Sequence, residues 1–212
     1  MNVGNADIKR HRAAHLGPER RRPAVLDAAL KLAVERGVRG VTMEAIAQEM
    51  GVTKPVVYAC FASREEVLRA LLAREEQQLF DGVVAALPAR PDFSNPEQLM
   101  IAGFQALLGT VAAQTDSWKL VFAADADPAI AGRYGQAREQ VAQRVAMLMA
   151  PGLTALGVSE VERKLPVLVE LFMSIGDGAV RSLLQPPVQQ QWSPDELGVF
   201  IGRIVFGAFQ KA

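Results

Sequence analysis

The sequence is short of the residues from which most catalytic and metal sites are built. Its two histidines, His11 and His15, both fall within the first sixteen residues, so no histidine triad or histidine metal site fits the rest of the chain. A single cysteine, Cys60, excludes an internal disulfide and fits a reducing, cytoplasmic setting. Neither a Walker loop nor a Rossmann glycine pattern occurs, and Gly176-Asp177-Gly178 lies in a helical pattern rather than a phosphate loop. No cofactor is expected. Met1 to Leu16 is polar and basic, without the apolar stretch of a secretory signal. The longest uncharged run, Gln98 to Thr115, is broken by Gln105, Thr110, Gln114 and two glycines. It is too polar for a membrane span and reads as a buried core helix. These absences argue against an enzyme, leaving only carboxylate-dependent chemistry open, and against a membrane partner.

Charge is present, but unevenly. The net charge is zero, yet residues 1–74 carry thirteen Lys/Arg against eight Asp/Glu, a net +5, and residues 75–212 carry ten against fifteen, a net −5. A basic end on an acidic body suits a polyanion partner at one end only, with chance fluctuation as the plain alternative.

Helical periodicity dominates, and strand alternation is nearly absent. Residues 1–19 read as a flexible basic arm. Pro23 opens a first helix that stops at Gly37. Thr42 caps a short second helix whose apolar residues Met43, Ile46, Ala47 and Met50 share one face. Gly51 ends it, and Thr53 caps a short third helix, with Pro55 tolerated in its first turn. Ser63-Arg64-Glu65-Glu66 reads as a capping box opening a long helix to about Ala86. Further starts are marked by Asn95, Asp116, Asp127-Pro128, Ser159 with Glu162 after the break Pro151-Gly152, and Ser193 with Glu196. Pro166 predicts a kink or a late start in the eighth helix. Pro186 to Gln191 reads as a loop. The expectation is an all-α chain of about nine helices.

The informative segment is Val41 to Phe61. Two short helices meet across Gly51-Val52, with Ala47 small where they approach. Ile46, Val52, Val57 and Phe61 face a shared core with the first helix. Thr53, Lys54, Val56 and Tyr58 are then left pointing outward. Lysine reaches base acceptors or phosphate, an aliphatic group meets a thymine methyl, and a phenol bonds a phosphate oxygen.

On these residues the sequence resembles the TetR family of bacterial repressors. The likeness takes in Ala28-Ala29 and Gly37, the Thr42…Ile46-Ala47…Met50-Gly51-Val52 core, and Tyr58…Phe61…Ser63-Arg64-Glu65, and runs to about Ala73. It implies a helix-turn-helix DNA-binding domain over residues 20–66 and a helical ligand-binding and dimerisation domain over residues 67–212. It implies that Thr42 touches phosphate, that Thr53, Lys54, Pro55 and Val56 face base edges, that Tyr58 binds the DNA backbone and that Arg64 contacts phosphate. Cys60 occupies a place often held by a larger aromatic or histidine. It reads as a small semi-buried filler, ahead of a redox switch. Lys9, Arg10, Arg12 and Arg20 to Arg22 either reach the DNA or form a solvated tail.

Beyond that segment the resemblance extends only to length and helical architecture. It implies a ligand cavity within about residues 95–185, for which Phe104, Leu108, Trp118, Phe122, Tyr134, Met147, Met173 and Asp177 are the candidates; each also suits a plain core. Glu170, Ser174, Asp177 and Arg181 form a polar stripe that is either a solvated face or the wall of that pocket. The final helix is apolar on two sides. Leu197, Phe200, Ile201, Ile204 and Ala208 fall on one side and Val199, Phe206 and Phe209 towards the other, with Gly202 between them. Such a helix is either sandwiched within its own domain or shared with a partner, and Val199, Gly202, Phe206 and Phe209 are the expected homodimer interface. The expected function is a homodimeric repressor of a palindromic operator, released by a small apolar effector, with a regulator lacking any effector as the alternative.

Overall fold

A computed structural model describes residues 17–89, 91–124, 133–155 and 157–210. Among them there are ten α-helices, one short 3-10 turn and no strands. Contacts divide the chain into two compact units, residues 1–75 and 76–212. The sequence had placed the division at residues 66 and 67.

The first unit holds α1 (Pro18–Arg36), the 3-10 turn Val38–Gly40, α2 (Met43–Met50), α3 (Lys54–Cys60) and the start of α4 (Arg64–Ala86). Helix α1 begins five residues before the expected start. Pro18 takes the first-turn place, where proline loses no hydrogen bond, and Pro23 lies inside the helix instead. Arg20 to Arg22 are therefore helical rather than part of an arm. Val25, Ala29 and Leu32 recur at helical spacing and are completely buried, together with Ile46 and Val57, while Phe61 is almost so. The turn between α2 and α3 forms as its residues dictate. Gly51 takes the left-handed conformation at φ 65°, and the Val52 N–H donates to the Ala47 carbonyl at 2.9 Å.

The second unit holds the rest of α4, then α5 (Pro96–Ala113), α6 (Thr115–Ala124), α7 (Arg133–Ala155), α8 (Val161–Leu183), α9 (Pro186–Gln191) and α10 (Pro194–Phe209). Helix α10 lies along α5 at very close range. A side chain at Gly202 would meet the Ile101 backbone at 2.6 Å, and one at Gly198 the Gln105 backbone at 2.7 Å. Two apolar clusters form the core, one around Phe104, Leu108 and Val180, the other around Val145, Met149 and Leu168. Among the described residues no helix is long and apolar enough to cross a membrane.

Three local expectations are corrected. Pro151-Gly152 does not break the chain, because α7 runs through it to Ala155 and stops before Gly157, at φ 74°. Gly152 serves packing instead, since a side chain there would strike the Phe93 ring at 2.4 Å. Glu160, not Ser159, is the N-cap of α8, and no side-chain cap bond forms there. Pro186 to Gln191 is a short helix because its two prolines fall in a first turn; it is a helix additional to those expected. The start read at Asp127-Pro128 lies outside the described residues.

Candidate nucleic-acid interface and ligand cavity

The outer surface of the first unit is built on its inner one. Once Val57, Cys60 and Phe61 are buried, α3 presents Thr53, Lys54, Pro55 and Tyr58 to solvent, with Val56 half-buried. Thr53 is exposed and caps α3 by position, without a side-chain cap bond. The Tyr58 side chain is half exposed, at 52%. The Lys54 ammonium pairs with Glu44 on α2 at 3.0 Å, with both groups open to water. Thr42 is exposed at the N-terminus of α2, where its Oγ1 accepts from the Ala45 N–H at 3.0 Å. A helix N-terminus with such a hydroxyl suits a phosphate oxygen.

Two arginines brace this surface from behind. Arg64 donates from Nε to the Val41 carbonyl at 2.6 Å and from Nη2 to the Val38 carbonyl at 2.9 Å. It clasps the segment leading into α2, so its expected phosphate contact competes with a structural role. Arg22 donates to the Cys60 carbonyl at 2.8 Å, pairs with Glu66 at 3.5 Å and lies over the Phe61 ring at 4.0 Å. That places Arg22 in the packing of α3 rather than on a solvated tail. Cys60 is buried, and burial raises its thiol pKa, which fits the filler reading. Lys9, Arg10 and Arg12 lie outside the described residues.

Two cavities lie in the second unit. The first, of about 140 Å³, is walled by α4, α5, α6, α7 and α8. Of the candidates read from the sequence, Phe104, Trp118, Met173 and Asp177 line it. Its charged lining residues are Glu76, Arg138 and Asp177. Arg138 donates from Nε to Asp177 and from both terminal nitrogens to Glu170, at 2.8 to 3.0 Å. These bonds hold the guanidinium charged and, together with the Ser174 hydroxyl at 3.1 Å, pull the Glu170 pKa down. The Trp118 indole is buried, and its Nε1 has no hydrogen-bond partner. The second cavity, of about 350 Å³, lies between α5, α7 and α10 beside Leu87, Pro88, Pro91 and Phe93.

Several expected residues sit elsewhere. Met147 is 67% exposed, because its position on α7 turns away from the bundle. Leu108 is fully buried within the core and lines neither cavity. Phe122 is half-buried beneath the Arg181 guanidinium, at 4.4 Å, and is off the cavity wall. The Tyr134 side chain lies outside the described residues. The polar stripe of α8 divides: Asp177 reaches the cavity while Glu170, Ser174 and Arg181 stay exposed. On α10 the face expected at the dimer interface turns largely inward, while the opposite side is split, with Leu197 buried and Ile201 packed against the core. Gly202 is buried against α5, Phe206 and Phe209 line the second cavity, and Val199 is half-buried, whereas Phe200 and Ile204 are exposed. Periodicity showed two apolar sides but carried no sign of which one met α5. The second cavity was missed because its lining comes from segments far apart in the chain; Gly103 and Gly152 are its one local trace.

The model of the bacterial regulatory proteins of the tetR family matches residues 25–71, the segment that forms this helix-turn-helix. This segment is a TetR-family DNA-binding domain. Members of that family are DNA-binding transcriptional regulators and not enzymes. The chain is 29% identical over 163 residues to the transcriptional activator FasR of Mycolicibacterium smegmatis, covering 69% of the chain and 73% of that protein. It is 27% identical to the regulator SrpR of Pseudomonas putida, over 90% of the chain and 84% of that protein. Its fold matches a TetR-like regulator from Rhodococcus sp. RHA1 with a TM-score of 0.69 at 18% identity, over 91% of this chain and 97% of that one. It also matches the multidrug binding protein EbrR complexed with malachite green, with a TM-score of 0.62 at 21% identity, over 88% and 96% of the two chains.

Proposed function

We propose that this protein is a homodimeric repressor whose α3 reads each half of a palindromic operator, and that a small, largely apolar effector entering the cavities of the second unit releases it. The observation that carries this reading is the division of α3, which buries Val57 and Cys60 while turning Thr53, Lys54, Pro55 and Tyr58 outward. Thr42 adds a phosphate contact. One copy reads a single half-site, and a two-fold dimer supplies the second. Support for dimerisation comes from α8 and α10, each of which leaves an apolar pair one turn apart in water: Val167 with Leu171, and Phe200 with Ile204. The binding of malachite green by EbrR supports an effector cavity in this fold. The effector acts by preferring the DNA-released state.

The name of FasR as an activator favours a second reading, in which the same operator contact recruits transcription. Purified protein and the DNA flanking its own coding region test both. A gel shift should show a dimer on a palindrome, lost when Lys54 and Tyr58 are both changed to alanine. A reporter fused to that operator should rise when the regulator is deleted; a fall would establish the activator reading.

A further inference from the structure

We infer that Arg22 is a positioning residue for DNA reading: by fixing the C-terminal end of α3 it lets α3 distinguish its operator from other DNA, without touching DNA itself. This deepens the operator reading above and rests on it. Helix α3 has seven residues, about two turns. A helix this short does not sustain itself in water, so tertiary ties must hold it. The carbonyls of a last turn lack partners within the helix, and a cation there is favoured by the helix dipole. The last turn of α3 contains no basic residue of its own. Arg22, from α1, supplies both a donor and a cation, donating to the carbonyl of Cys60, the final residue of α3, at 2.8 Å.

The same guanidinium lies over the Phe61 ring at 4.0 Å and reaches Glu66 at 3.5 Å. Through its other oxygen Glu66 accepts from the Ala62 N–H at 2.7 Å. One side chain thus joins α1 to the end of α3, to the corner that follows and to the start of α4. The pair with Glu66 is partly open to water and contributes little. The carbonyl bond and the ring contact, both at buried residues, provide the restraint. A planar fork can make them together, whereas the point charge of a lysine cannot.

Such a restraint matters unequally to the two kinds of DNA contact. Groups that meet base edges must be held to within about 0.5 Å of their places. Attraction to phosphate depends on charge and tolerates displacement. Freeing the end of α3 therefore lowers specific binding and leaves non-specific binding nearly intact.

Arg22→Ala and Arg22→Lys in the full chain test this on two duplexes: the sequence that the wild-type protein enriches from random DNA, and a scrambled duplex of the same length and composition. Arg22→Ala should bind the enriched duplex about tenfold more weakly or worse, and the scrambled one within about threefold of wild type, with its salt dependence unchanged. Arg22→Lys should fall between. The single cysteine gives a readout free of DNA. Cys60 is 3% exposed, and a thiol reagent should label it about fivefold faster or more in Arg22→Ala. Losing the Arg22 charge makes the thiol less acidic and by itself slows labelling, so acceleration reports a freed helix end. If Arg22→Ala fails to fold, Arg22→Lys bears both measurements. Unchanged labelling, or an undiminished preference for the enriched duplex, overturns the inference. So does an equal loss on both duplexes with a salt slope reduced by about one, which would make Arg22 a phosphate contact. A wild-type protein that enriches no sequence, with labelling still accelerated by the substitution, would instead overturn the operator reading and leave the tie on α3 standing.

Discussion

The two units use their apolar side chains differently. Residues 17–75 close a small core completely: Val25, Ala29, Leu32, Ile46 and Val57 have no exposed surface, and Arg22 and Arg64 tie down the segments around them. In residues 76–210 two clusters surround cavities of about 140 and 350 Å³. Interiors are normally packed as densely as organic crystals, whereas the walls of these recesses lack packed neighbours that a ligand would supply. A surface that must present side chains in fixed positions needs a filled core behind it. A unit that must respond to a small molecule needs room.

The comparison breaks most readily in the first unit. Phe61→Ala removes a buried ring and the face on which Arg22 rests. It should cost about 3–5 kcal/mol, read by urea denaturation followed through helical circular dichroism. A smaller loss would show that this core is less filled than its burial indicates. The next effect concerns assembly. Phe200→Asp together with Ile204→Asp should give a folded monomer by sedimentation, with operator binding greatly weakened. Phe206→Asp, whose parent side chain lines the larger cavity, should disturb folding or ligand binding first. The reverse result would restore the interface originally expected on Phe206 and Phe209.

Smaller again is the effect at the reading surface. Lys54→Ala and Tyr58→Ala should each leave the melting temperature unchanged while weakening operator binding, by about 1–3 kcal/mol for a base contact and less for a phosphate. Glu44→Ala, which frees the Lys54 ammonium, should tighten DNA binding at low salt and lose that advantage as salt rises. The smallest effect is at the end of the chain. Ser193 and Glu196 form a full capping box on α10, and Ser193→Ala should cost about 1 kcal/mol. Hydrogen bonds from the Ser193 backbone and hydroxyl lower the Glu196 pKa. A depressed carboxylate stabilises the fold above its unfolded pKa and ceases to do so as pH falls through its folded one. Stability should therefore decline below the ordinary glutamate range, with a flatter decline in Ser193→Ala.

The parts that were legible in the sequence are those written in local chemistry. Gly51 stops α2, Thr42 caps it, and Asn95 and Ser193 accept from the N–H groups expected of them. The helix-turn-helix was readable because nearly every constraint on it lies within some twenty residues. Two prolines inside helices misled. Pro23 and Pro151 were read as boundaries, whereas tertiary packing of the flanking turns carries α1 and α7 through them. The cavity was half legible. Phe104, Trp118, Met173 and Asp177 line it, but Met147 and Leu108 share their composition and not their surroundings. Local spacing shows how many faces of a helix are apolar. Which face meets which neighbour is settled by contacts such as Gly202 on Ile101, between residues about a hundred apart in sequence.

The Arg64 clasp has a thermodynamic consequence. Because its guanidinium fixes the Val38 and Val41 carbonyls within the free protein, the approach to α2 is already ordered when DNA arrives. Association then carries no coupled-folding cost in this segment. Its heat-capacity change should match the apolar area of the contact alone, and Arg64→Ala should make it more negative as the loosened turn folds onto the DNA.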